Sequence, residues 1–142
     1  MSEKPVTNSN DIVIDDGIKV FNIKNRKGKY LGKFEFRPAD TNIVNRYKEV
    51  VDYFNHLTIP DGESEEAVKR VEKEVVEKMN YLIGGDAEKS FFSILGAFSV
   101  LESGELFLEN VLGAIAGVIE REFSVRATRM KRRNKYVSKY HK

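Results

Sequence analysis

The side chains best suited to proton transfer, metal ligation or thiolate attack are almost missing from this chain: it has two histidines, His56 and His141, and no cysteine. The histidines are too far apart in sequence to have metal-ligand spacing, and neither sits with a Ser and an acid in an arrangement that specifies a triad. His56 reads as a helix-end residue and His141 as part of a basic tail. Gly84-Gly85 lacks the following Lys-Ser or Lys-Thr of a phosphate loop, and Asp15-Asp16-Gly17 lacks the other ligands of a calcium loop. Glu102, Glu105 and Glu109 gather near the start of a helical pattern, where acids complement the helix dipole. The expectation is a protein that is not an enzyme and needs no metal or cofactor.

What chemistry there is lies in charge. The chain has 142 residues and a net charge of +2, yet residues 1–120 carry −6 and residues 121–142 carry +8. Within the last stretch Arg121, Arg126, Arg129, Lys131, Arg132, Arg133, Lys135, Lys139 and Lys142 alternate with Tyr136 and Tyr140. Clustered cations neutralise phosphate and tyrosine rings stack on bases, so nucleic acid is one candidate partner. Against it, Ala116, Phe123, Met130 and Val137 recur every seventh residue. An apolar seam of that kind fits a helix docked on a protein. Phe123, Arg129, Met130, Arg133, Val137 and Tyr140 are therefore the candidate partner-binding residues. A solvated helical extension is the third reading of the same stretch.

The elements that must position these residues follow from periodicity and turn chemistry. Hydrophobic residues at 41% and a length near that of one ordinary domain allow a single core. Residues 1–16 read as a flexible leader with an Ile12-Val13-Ile14 patch, residues 17–123 as one globular unit, and residues 124–142 as a basic helical extension. Ile18 to Ile23 and Tyr30 to Phe36 alternate like strands around Asn25-Arg26-Lys27-Gly28, predicting a β-hairpin. Asp40 or Thr41 caps a first helix with the stripe Ile43, Val44, Tyr47, Val50, Val51 and Phe54. After a turn at Ile59-Pro60-Asp61-Gly62, Ser64 caps a second helix carrying Val68, Val71, Val75, Met79 and Leu82, and Gly84-Gly85 stops it. Asp86 caps a third segment containing Phe91, Phe92, Ile94, Leu95 and Phe98. Ser103-Gly104-Glu105 opens the longest pattern, through Leu108, Val111, Leu112, Ile115, Ile119 and Phe123. The fold class is α+β, a hairpin packed on about four helices.

The longest helix has a second face. Leu106, Gly113 and Gly117 fall opposite Leu108, Ile115 and Ile119 at about 100° per residue. A mid-helix Gly costs about 1 kcal/mol relative to Ala, so two of them imply a close neighbour on that face. Either another helix of the same chain or a second subunit fits, and these three residues are the candidates for self-association into a homo-oligomer. The first ten residues have no apolar core of a secretory signal, and Val111 to Ile119, the longest nearly apolar run, is about half of a membrane span. Residence in the cytoplasm, away from membranes, is expected.

Several segments, in order, resemble a known family: Phe34-Glu35-Phe36-Arg37-Pro38-Ala39-Asp40-Thr41-Asn42, Phe91-Phe92-Ser93-Ile94, Leu101 to Val111 (LESGELFLENV) and Lys135-Tyr136-Val137-Ser138-Lys139-Tyr140-His141. Over residues 17–142 the chain is similar to the tail assembly chaperones of tailed bacteriophages and prophages of Gram-positive bacteria. Gly96-Ala97-Phe98-Ser99-Val100 departs from the Pro-containing pattern associated with those proteins at that point. The resemblance implies a non-enzymatic protein of the host bacterial cytoplasm. It would bind the tape measure protein, recruit the major tail protein around it, and be absent from the mature virion. It also implies that a longer, frameshifted product can accompany the short one.

Overall fold

The computed structural model describes residues 9–58 and 64–140, with side chains described up to Val125. The turn expected at 59–62 lies outside the described residues. Two antiparallel strands, β1 (Lys19–Lys24) and β2 (Tyr30–Phe36), precede the helices α1 (Ile43–Asn55), α2 (Glu65–Ile83) and α3 (Phe107–Tyr140), with one π-helical turn at Glu88–Phe92. This is the α+β architecture expected, a hairpin and four helical segments.

Asn25 organises the hairpin turn, because its side-chain oxygen accepts the amide protons of Lys27 and Lys29, each at 2.9 Å. Gly28, at φ 84°, supplies the left-handed residue that closes it. Register then places Phe21 opposite Phe34 and Ile23 opposite Gly32, with a bulge between Ile23 and Lys24. Alternation turns Phe21, Phe34 and Phe36 to one face, where their rings lie 5.2 to 5.4 Å apart. Phe91 of the π-helical turn adds its ring at 4.8 Å from Phe34.

Asp40 starts the approach to α1, although the helix itself opens two residues later. Its carboxylate accepts the Asn42 amide at 2.9 Å and pairs with Arg46 at 2.5 Å, and both contacts hold its pKa below the usual carboxylate range. Ser64 caps α2 by accepting the Ala67 amide at 3.3 Å, and Gly84, at φ 67°, ends it in the left-handed conformation. Helices α1 and α2 are tied in antiparallel order, Tyr53 donating to Glu74 at 2.6 Å and Tyr81 to Glu49 at 2.9 Å. Each carboxylate raises the pKa of the phenol it accepts from. Beneath these links, Val75, Met79 and Leu82 are fully buried with Phe36, Ile43, Val50 and Ile115 in one core.

The third helix expected after Asp86 is much shorter in the structure. Asp86 does accept the Lys89 amide at 3.0 Å, but the bond from Ser93 N–H to Glu88 O spans five residues and the chain leaves helical geometry after Phe92. The cause lies downstream, where Ala97 and Ser99 must turn their carbonyls to the start of α3. They accept the Leu108 and Phe107 amides at 2.9 and 2.8 Å, satisfying donors that a helix start leaves without partners. Carbonyls spent on α3 are not available to prolong a helix of their own.

Candidate docking groove between α1 and α3

Helix α3 begins at Phe107, so Leu106 is its capping residue and not a member of its faces. The Leu106 amide donates to Glu109 Oε1 at 2.9 Å, half of a capping box, and its carbonyl accepts from Asn110 at 3.1 Å. Leu106 also bridges to Val100, antiparallel, which pulls it away from the glycines it was expected to join. Glu105 accepts from the Asn110 side chain at 2.8 Å. Two of the three acids at this helix start therefore serve its capping.

From that start α3 runs beside α1 but diverges from it enough to leave an open apolar seam. Its upper part, about 320 Å³, is lined by Tyr47, Val51, Phe54 and Leu57 on one side and by Phe98, Leu106, Leu112 and Gly113 on the other. Its lower part, about 360 Å³, lies between Val44 and Tyr47 and the residues Ala116, Ile119 and Phe123. Asn55 and Glu109 edge the upper part, Lys48 and Glu120 the lower. Tyr47 belongs to both, and its hydroxyl donates to the Leu112 carbonyl at 3.2 Å. Burial of the ring, with Glu120 close by, pushes the phenol above its ordinary pKa. It acts as a cross-tie between two helices that otherwise touch sparingly.

The partner residues read from sequence divide at this groove. Phe123 lines its lower end together with Ala116, the first two members of the sevenfold seam. The side chains of Arg129, Met130, Arg133, Val137 and Tyr140 lie outside the described residues, while the α3 backbone that carries them continues without a break to Tyr140. Gly113 opens on the upper groove and Gly117 lies one turn further along α3. A Cβ built at either glycine meets no heavy atom within 4 Å. The same-chain helix offered as their close neighbour is thus not there, because the segment between α2 and α3 is spent on the π-helical turn and the α3 cap.

Tyr47, Leu57 and Phe98 were not singled out as site residues by periodicity, which placed Tyr47 in the core stripe of α1. A signal was present in the stripe's width, since of its six large apolar residues only Ile43 and Val50 are buried. Elsewhere, His56 is exposed, with Nδ1 on the Asp52 carbonyl at 2.8 Å. Among the described residues no group of three His, Asp or Glu side chains could hold a metal ion, and no helix is long and apolar enough to cross a membrane. No family model, curated protein or solved structure matches the chain.

Proposed function

We propose that this protein is a tail assembly chaperone of a tailed bacteriophage or prophage, holding the tape measure protein and recruiting the major tail protein while the tail is built. The observation that carries the reading is the open apolar groove between α1 and α3. From Phe107 to Phe123 it follows α3 for 17 residues, about 25 Å at 1.5 Å per residue, the length of about five turns of a client helix. An amphipathic helix laid in such a groove is read through apolar anchors at i, i+3, i+4 and i+7, which suits a long helical client offering many equivalent segments. Repeated weak engagement along one extended client gives avidity without a tight site, and self-association through the Gly113 and Gly117 face would add to it.

Co-expression with a fragment of the tape measure protein tests the reading. The fragment should become soluble and elute with this protein, and Gly113→Leu, which fills the upper groove without meeting another side chain, should abolish co-elution. A fragment that stays insoluble with no complex formed removes the proposal. Mass spectrometry of purified virions should find the protein missing, whereas a structural tail or neck component would be present. The nine basic residues against one acidic residue over 121–142 favour a second reading, binding of nucleic acid through the tail. That reading requires retention on DNA or RNA that falls steeply with salt and vanishes when residues 124–142 are deleted.

A further inference from the structure

The three most exposed large apolar side chains are consecutive: Ile12, Val13 and Ile14 stand 86, 82 and 75% open to solvent just ahead of β1. All three are β-branched, the composition of a strand, yet no strand contains them. Beside them, β1 is hydrogen-bonded through its backbone only to β2 among the described residues, so its outer edge is unpaired. An open edge is a template for another strand. Lys19 and Lys24 stand at its two ends, and cations at an edge discourage pairing with anything that does not bring acids.

We infer that residues 11–16 and β1 form one continuous strand that pairs antiparallel with the same strand of a second copy, about a two-fold axis between Gly17 and Ile18. In that register Asp11 faces Lys24 and Asp16 faces Lys19 of the second copy, so opposite charges meet at both ends of each half. Between them Ile12 faces Ile23 and Ile14 faces Phe21. Phe21 and Ile23 already point to the core side of the hairpin, so the leader's two isoleucines extend that apolar face. Asp16 and Lys19 keep their own partners, Arg37 at 2.8 Å and Glu122, and each gains one more opposite charge. The one backbone change required is straightening at Gly17, now at φ 78° with no atom within 4 Å of where a Cβ would stand. Such a two-fold contact is self-complementary and closes at a dimer.

The leader could instead fold back on its own β1 through a two-residue Asp16-Gly17 turn, which would set Val13 opposite Val20. The Ile18 amide that would close that turn is donated to the Asp16 carboxylate at 3.2 Å, and Arg37 Nε donates to the Asp16 carbonyl at 2.9 Å. These bonds hold the leader away from its own strand and leave the edge to a second copy. Nothing in this inference depends on the chaperone reading.

The chain has no native cysteine, so engineered pairs report pairing and register directly. Full-length Val13→Cys and Asn22→Cys proteins, mixed and oxidised, should give a heterodimeric disulfide well above that of Val13→Cys mixed with Lys73→Cys, a position exposed on α2. In sedimentation, replacing the exposed Ile12 and Ile14 by Ser should raise the dimer dissociation constant at least tenfold. Heterodimer no higher than the α2 control overturns the inference, as does an unchanged dissociation constant. So does a disulfide within one chain carrying both Val13→Cys and Val20→Cys, which would show the leader folded back.

Discussion

Replacing Gly113 and Gly117 together by Ala sets the stability of the single chain against its capacity to bind. Each glycine is inside α3, neither has a positive φ, and a methyl group at either position meets no atom within 4 Å. The substitutions therefore remove the helix cost of glycine, about 1 kcal/mol each, with no steric penalty in return, and together stabilise by about 2 kcal/mol. For a chain of this length about 2–4 °C accompanies each kcal/mol, so the melting temperature should rise by about 4–8 °C. Far-UV circular dichroism at low micromolar concentration measures it, with a urea midpoint as cross-check. A melting temperature that falls, or does not move, refutes the reasoning, because something in the single chain would then pack against the glycine face. If that face instead serves association, the same variant should be more stable and bind its partners less well.

Three further outcomes follow from the packing and the ion pairs. Tyr47→Phe removes the bond to the Leu112 carbonyl and should cost about 0.5–1.5 kcal/mol, seen as a lower urea midpoint. The Asp40 pKa is lowered in the fold by the Asn42 amide and by Arg46, so its contribution to stability is complete above the unfolded carboxylate pKa of about 3.9 and is lost as pH falls through the lower folded value. Asp40→Asn should therefore reduce stability at pH 7 and flatten the acid limb of a pH series of urea midpoints. Met79→Ala, at a fully buried site, should cost about 2–5 kcal/mol, whereas Val125→Ala, at a half-exposed one, should stay within about 0.5 kcal/mol.

Features that were legible in the residues are those whose causes are local. Asn25 and Gly28 make a turn, Ser64 caps, Gly84 terminates, and each does so through bonds to neighbours a few positions away. Alternation of Phe34 and Phe36 was equally legible, since one buried face demands it. Two features depend on distant partners and were not. The segment after Phe92 looked helical by composition, but its carbonyls are claimed by the start of α3. Leu106 matched the spacing of Gly113, but the cap and the bridge to Val100 hold it outside the helix. The groove was half legible: periodicity shows which side of α1 is apolar, not how much of it a neighbour covers.

The cap on α3 also decides how that helix behaves mechanically. Its first turn is fastened to the loop carbonyls of Ala97 and Ser99, its last buried residue is Ile119, and a further 21 residues of helix extend to Tyr140. It is a beam clamped at one end, about 30 Å of it beyond the last buried support. Opening free energies along such a beam fall from clamp to tip, so the basic half can bend and search while the root stays still. Force applied at the tip is delivered, through Tyr47, to the seam between α1 and α3.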